Sequence, residues 1–392
     1  MGEDGRNGGQ RLPSCLFPHR RLEIGSDMSD EAYMERAMEL ARRGRGLVSP
    51  NPMVGAVVVA DDAIVGEGSH GGPGLPHAEV LALDRAGERA RGATLFTSLE
   101  PCDHYGRTPP CTDAIVRAGI ARVVSATRDP NPVVDGQGVR SLRAHGVEVL
   151  EGILEAEAQR LNAGFAKHVR TGMPFVIWKA AASLDGKVAA RDGSSRWITG
   201  DAARADVHRL RAWADAIVVG AGTAIADNPE LTVRDPDYRG RPPIRVVVDA
   251  RGRVGPSGDL FDDQAPTLVA TTELAPAKTR DAWREAGADV LVLEADGEGV
   301  VLTALMSDLG KRDVQGVLLE GGPTLAWSAL EEHLVDTIVL YLAPKLVGGS
   351  DAPTVLEGRG FAPIGQAMPM RIRSVERVGE DLRVEADVHR DR

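Results

Sequence analysis

The sequence predicts two successive α/β domains, each a mostly parallel sheet layered with helices. Three observations carry that expectation. Short apolar, β-branched runs alternate with helical patterns along nearly the whole chain. Its 392 residues exceed what one core usually spans. A polar amphipathic stretch at 151–172 interrupts the alternation and reads as a helical link. The first domain is therefore set at 28–150 and the second at 173–392. Residues 1–27 lack the apolar middle of a secretory signal and read as a disordered extension of a chain that could start at Met28.

From residue 29 the pattern is helical to about residue 46, with Ser29 at the cap and Tyr33, Met34, Ala37, Met38 and Leu40 as the apolar positions. Residues 54–60 form an apolar run that reads as a buried strand. A helix at 78–86, a strand at 93–98, a helix at 114–118 and strands at 123–126 and 147–150 complete the first unit. In the second, strands are expected at 175–181, 216–219, 244–248, 267–270, 289–293, 316–319 and 337–342. Residues 350–392 read as closing strands and surface.

Composition narrows the function classes. Hydrophobic content of 43% and charged content of 26% are those of a globular protein. A net charge of −11 argues against a broad nucleic-acid-tracking surface, although a few cations in one pocket suffice for a small anionic substrate. No apolar run approaches the length that crosses a bilayer. Cys15, Cys102 and Cys111 are the only cysteines, which is no disulfide framework and fits a reducing cytoplasm.

The densest chemistry lies between residues 76 and 111. Pro76-His77-Ala78-Glu79 opens a predicted helix, Ser98-Leu99-Glu100-Pro101-Cys102 follows a strand, and Cys111 stands nine positions after Cys102. One imidazole and two thiolates make a three-ligand Zn²⁺ set that leaves a fourth tetrahedral position for water, the arrangement of a catalytic rather than a structural site. Glu79, two residues after His77, is placed to move the water proton to a leaving amine. The pattern follows the general deaminase signature but widens its second cysteine spacing.

The second half carries loops of a different kind. Lys179 to Lys187 end in a turn at Asp185-Gly186, and Gly193 to Thr199 is a polar loop holding Ser195 and Trp197. The next predicted helix holds Arg204, His208 and Arg211. Gly220-Ala221-Gly222-Thr223 follows a strand, then come Asp227, Leu231 and Arg234. Glu320-Gly321-Gly322-Pro323-Thr324 joins another strand to a helix, a geometry that offers backbone N–H groups to phosphate. Neither glycine loop has the G-x-G-x-x-G spacing of a Rossmann fingerprint.

With Gly106-Arg107-Thr108-Pro109-Pro110-Cys111, Ser49 to Gly55, His70 and Asp129-Pro130-Asn131-Pro132, the first half resembles the deaminase domain of bacterial bifunctional riboflavin-biosynthesis deaminase/reductases. From about 175 to 349, ending in Ala343-Pro344-Lys345-Leu346-Val347-Gly348-Gly349, the second half resembles their reductase domain. The resemblance implies a cytidine-deaminase-like three-layer α/β/α domain followed by a dihydrofolate-reductase-like α/β domain. It further implies Zn²⁺, NADPH, pyrimidine ribose-phosphate substrates and a homo-oligomer. Carried over residue by residue, Asn51 holds the pyrimidine edge, with His70, His104 and Arg107 near base or phosphate. Ala181, Trp197, Thr223, Asp227, Gly322, Pro323 and Thr324 contact NADPH. Ser195, Arg211, Leu231, Arg234 and Glu320 hold the ribose phosphate, and Lys179 or Asp227 polarises the sugar. Two rivals stand beside this reading: a nucleoside or nucleic-acid deaminase with an unrelated fused domain, and a non-catalytic zinc scaffold.

Overall fold

The computed structural model describes residues 29–388 apart from Arg107, Val133 and Glu298. The expected extension at 1–27, Cys15 and the Arg107 expectation lie outside the described residues.

The chain begins with α1 (Asp30–Arg42), a β1–β2 hairpin (Gly55–Ala60, Ala63–Ser69) and α2 (Ala78–Ala86). Then follow β3 (Thr94–Thr97), α3 (Cys111–Ala118), β4 (Arg122–Ser125), α4 (Gln137–Ala144) and β5 (Glu148–Glu151). These strands make one sheet in the order β2-β1-β3-β4-β5, antiparallel on the β1 side and parallel from β3 onward. Alternation along the strands divides its side chains. Val57, Val59, Phe96 and Val124 pack on α1, while Ala56, Val58, Leu95 and Val123 pack on α2, α3 and α4. This is a three-layer α/β/α unit.

Strand β2 departs from the sequence expectation, which placed none there. Its residues Ala-Ile-Val-Gly-Glu-Gly-Ser carry two glycines and little apolar signal. The reason is close packing: a Cβ on Gly66 would lie 2.1 Å from the Ala82 carbonyl oxygen, and one on Gly68 1.9 Å from that of Ala78. Helix α2 therefore sits directly on the β2 backbone, which fixes the end of the helix that carries His77 and Glu79. Asp61 and Asp62 close the hairpin, both with left-handed φ (50° and 56°), which short polar residues tolerate.

The link expected at 151–172 is two helices, α5 (Glu155–Leu161) and α6 (Ala163–Thr171), broken at Asn162. Ala158 and Leu161 of α5 are buried in the first core, so this segment packs as part of the first layer system.

The second sheet has nine strands: β6 (Phe175–Ser183), β7 (Ala216–Gly220), β8 (Ile244–Val248), β9 (Thr267–Thr271), β10 (Asp289–Val292), then β13 to β16. A two-residue hairpin, β11 (Ala295–Asp296) with β12 (Gly299–Val300), lies apart from it. The last four strands are β13 (Gly316–Leu319), β14 (Thr337–Ala343), β15 (Met370–Val378) and β16 (Asp381–Val388). Their order is β10-β9-β8-β7-β13-β6-β14-β16-β15, parallel through β14 and antiparallel beyond. Helices α7 (Asp201–Trp213), α8 (Ala221–Asp227) and α9 (Ala277–Glu285) cover one face; α10 (Leu302–Lys311) and α11 (Pro323–Glu331) cover the other.

Strand β6 runs two residues beyond its expected end, so Ala182 and Ser183 belong to the strand rather than to the loop after it. Strands β7, β13 and β6 are neighbours and parallel, which gathers their carboxyl-end loops at one edge, the usual ligand edge of an open α/β sheet.

Candidate active sites

In the first unit, His77 is the N-cap residue of α2 and Cys111 the first residue of α3. His77 Nδ1 lies 3.2 Å from Cys111 Sγ and 3.5 Å from Cys102 Sγ, and all three ligand atoms fall within 4.8 Å of one another. Donors bound tetrahedrally to one zinc ion stand about 3.5 Å apart, so the set fits that ion. The Cys111 main-chain N–H points at Cys102 Sγ (3.4 Å), and helix N-termini favour thiolates. The Cys111 hydrogen bond pulls the Cys102 thiol down against burial, with His77 assisting, while the same bond and burial push Cys111 up.

Glu79 stands in the first turn of α2, buried at 3% exposure, and its Oε2 has no hydrogen-bond partner. Burial, reinforced by charge on Cys102, pushes its carboxyl up to about 7. A buried carboxylate with one oxygen unspent beside a metal-ligand triad is ready to accept a water proton.

The structure gathers two further residues around this centre. Asn51 Nδ2 lies 2.9 Å from His70 Nε2, and His70 Nδ1 lies 3.2 Å from the Pro76 carbonyl oxygen. That pattern assigns the His70 proton to Nδ1 and the acceptor role to Nε2. Burial lowers the His70 pKa, which agrees with a neutral ring. The His70 and His77 rings meet edge to face with centroids 5.3 Å apart. His70 is 3% exposed, whereas His104 is exposed.

Sequence reasoning missed two supports. Thr108 Oγ1 lies 3.1 Å from His77 Nε2, so the ring donates there and presents Nδ1 to the sulfurs. Its signal was present, since Thr108 sits in the loop that spaces the cysteines. Such outer contacts typically carry a 10–100-fold share of metal affinity. Thr108→Val is expected to weaken zinc binding by roughly tenfold while leaving the fold intact, as a competition titration with a chelating dye beside circular dichroism will show. Glu100 is the other: its buried carboxylate accepts from the main-chain N–H groups of Asp129, Gly136 and Val139, which ties the Asp129–Pro132 turn to the Glu100-Pro101-Cys102 loop.

In the second sheet, the parallel register Leu319↔Trp178 sets Glu320 beside Lys179. Glu320 takes the Arg211 fork, Nε to Oε1 at 2.7 Å and Nη2 to Oε2 at 3.1 Å, with Lys179 Nζ at 3.7 Å. Burial alone would raise the Glu320 carboxyl, but Arg211 and Lys179 override it and hold it at about 2. Lys179 is only at the margin of this pair, so burial prevails there and lowers its pKa. Arg211 Nη1 donates to the Thr232 carbonyl, which leaves one N–H on each terminal nitrogen beyond these three bonds. Arg234 is exposed and pairs with Glu230, while its main-chain N–H donates to His208 Nδ1. His208, three residues before Arg211 on α7, was named in the sequence but given no role; burial first, then Arg211 and Arg234, lowers its pKa.

The remaining residues sit around the same sheet edge. Gly322 caps α11 and Pro323 begins it, and a Cβ on Gly322 would touch Thr223 Oγ1 at 3.4 Å, so the first turn of α8 and the β13–α11 turn face each other closely. Trp197 is 63% exposed with the Arg204 guanidinium 4.5 Å above its ring. Lys345 Nζ bonds the Trp197 and Ile198 carbonyls, and the Asp185 carboxylate bonds the Val347 and Gly348 N–H groups. Arg196 donates to the carbonyl of Asp227, the last residue of α8. Ala181 and Ser195 are half-buried and Thr324 is exposed. The Leu231 side chain is buried in the core, so any contact it makes with substrate is through its main chain.

An open three-ligand centre with a buried carboxylate serves hydrolytic removal of a ring amine, and the second sheet has the loop edge of a nucleotide-dependent reductase. The class is a zinc deaminase joined to a reductase. The description "RibD C-terminal domain" matches residues 174–384, and "cytidine and deoxycytidylate deaminase zinc-binding region" matches 27–127. The chain is 44% identical over 366 residues to the riboflavin biosynthesis protein RibD of Escherichia coli, covering 91% of this chain and 98% of that protein. It is 41% identical over 373 residues to the RibD of Bacillus amyloliquefaciens, covering 93% and 100%. The Acinetobacter baumannii RibD structure has a TM-score of 0.81 at 40% identity, covering 92% of this chain and 99% of that one. A Thermotoga maritima diaminohydroxyphosphoribosylaminopyrimidine deaminase/5-amino-6-(5-phosphoribosylamino)uracil reductase has the same score at 38% identity, covering 92% and 98%. The chain belongs to the RibD family, the bifunctional deaminase/reductases of riboflavin biosynthesis. No described helix is long and apolar enough to cross a membrane.

Proposed function

We propose that residues 28–150 remove an exocyclic amine from 2,5-diamino-6-ribosylamino-4(3H)-pyrimidinone 5′-phosphate, and that residues 173–392 reduce the product's ribosyl group to ribityl. His77, Cys102 and Cys111 hold zinc, which when bound makes water nucleophilic near neutral pH. Glu79 takes the proton of the attacking water and passes it to the departing ammonia, so the ring gains an oxygen and loses a nitrogen. The observation that carries this reading is the unpartnered, buried Oε2 of Glu79 beside the ligand triad. Asn51, with its amide fixed by His70, holds the pyrimidine edge. Arg107 faces the base or phosphate on the family resemblance alone.

In the second step NADPH supplies the hydride. Ala181, Trp197, Thr223, Asp227 and the Gly322-Pro323-Thr324 turn hold the cofactor. Ser195, Arg211, Leu231, Arg234 and Glu320 hold the ribose phosphate, and Lys179 polarises the opened sugar from beside Glu320. The cysteine usage supports a cytoplasmic setting, the family resemblance a homo-oligomer, and the net charge of −11 a partner set without nucleic acid.

Two assays on two substrates test the whole scheme. The diaminopyrimidine phosphate should release ammonia, and its deaminated product should oxidise NADPH with no ammonia release. Absence of NADPH oxidation on the deaminated product would remove the reductase assignment and leave the deaminase reading intact.

A further inference from the structure

The loop that carries Asn51 is held from outside the deaminase sheet. Three of its main-chain carbonyls accept hydrogen bonds from the second unit. Gly46 O accepts from Arg241 N (3.0 Å), Ser49 O from Arg241 Nη2 (2.7 Å), and Pro50 O from Gln315 Nε2 (2.5 Å). Ser49 Oγ donates in return to Asp313 O (3.3 Å). Asn162, between α5 and α6, brackets the other side by bonding both the N–H (2.8 Å) and the carbonyl (2.9 Å) of Met53.

Gln315 is the best placed of these donors. It is 6% exposed, and its own main chain is fixed by Asp215 Oδ2 on the N–H and by Phe175 N on the carbonyl. Gly164 of α6 packs against that carbonyl, where a Cβ would come to 3.1 Å. The amide therefore projects from a rigid base at the start of β13. It grips the oxygen of the peptide whose nitrogen belongs to Asn51, and that nitrogen in turn donates to Val48 O (2.7 Å). From there the polar chain continues through the Asn51 amide to His70, and from His70 to Pro76, the residue before His77.

We infer that Gln315, with Arg241 in support, is a positioning residue for the deaminase: the reductase half completes the substrate-binding loop of the other active site. Strand β13 thus carries an anchor at each end, Gln315 for the Asn51 loop and Glu320 for the ribose-phosphate site. This rests on the proposed role of Asn51 in holding the pyrimidine edge.

Kinetics on the full-length, zinc-loaded protein separate the possibilities. Gln315→Glu keeps the shape but sets a carboxylate against the Pro50 carbonyl, leaving a buried acceptor unsatisfied. The deaminase KM for the diaminopyrimidine phosphate should rise roughly tenfold with kcat within about twofold. Zinc content, and reductase kinetics on the deaminated product, should not change. Arg241→Gln, at an exposed side chain, should shift the same KM in the same direction by a smaller factor. Unchanged deaminase KM in both variants overturns the inference, as does a parallel fall of both activities, which assigns Gln315 to the fold alone. Asn51→Ala run alongside tells the two ideas apart. If it leaves KM unchanged, the Asn51 reading fails; if it raises KM while Gln315→Glu does not, only the positioning role fails.

Discussion

Replacing Glu79 by glutamine is expected to slow ammonia release by roughly 10²–10⁴-fold, the span of general acid–base catalysis. Zinc content and NADPH-dependent reduction should remain at wild-type levels. The amide matches the carboxylate in size and sits in the same first turn of α2, so the packing of that helix on Gly66 and Gly68 is undisturbed. What it loses is the capacity to take a proton from water and return it to ammonia. Nor does the amide carry the burial penalty that pushes the Glu79 carboxyl up to about 7. An unfolding curve of the zinc-loaded variant that matches wild type removes unfolding as an explanation for lost turnover. Ammonia release measured beside zinc content decides the matter. A variant with full deaminase activity and bound zinc would rule out Glu79 as the proton shuttle.

The metal centre was legible because its chemistry admits few residue types and because its parts are close in sequence. His77 and Glu79 share one helical turn, and Cys102 and Cys111 flank one loop. The parallel strands of both sheets were legible for a similar reason, since each is a short apolar run with local signal. Strand β2 was not, because its glycines were selected by the close approach of α2, a neighbour that no local pattern announces. The clearest blind spot was partnership across long separations. The family resemblance marked Arg211 as a holder of the ribose phosphate, yet nothing local announced that its fork is shared with Glu320, 109 positions away. Gln315 carried no signal, and its partner Pro50 lies 265 positions earlier. Sequence spacing tells which groups can do chemistry; the fold decides which carbonyl or carboxylate meets them.

Removing Glu320 should have the largest effect on the second unit. Its carboxylate, 8% exposed, is the shared counter-ion of Arg211 and Lys179, themselves 12% and 19% exposed. Glu320→Ala leaves two enclosed cations without their anion, and breaking a buried pair in this way costs about 3–5 kcal/mol. For a unit of this size that corresponds to a fall of roughly 10 °C in its unfolding temperature, with loss of NADPH oxidation. The pH dependence fixes the cause. A carboxyl held at about 2 when folded, against 4.5 ordinarily, binds fewer protons in the native state across that window. Its stabilisation is therefore fully present above pH 4.5 and drains away as the pH falls toward 2, amounting to about 3 kcal/mol. The stability gap between wild type and Glu320→Gln, from urea midpoints, should accordingly be wide at pH 7 and shrink by pH 3. A gap that stays constant would mean that packing, not charge, is what Glu320 contributes. The double variant Arg211→Met/Glu320→Leu replaces the pair with apolar bulk and should regain much of the stability, since buried ion pairs are often no better than hydrophobic substitutes. It should not regain reduction, because the same two residues that hold each other are the ones proposed to hold the ribose phosphate.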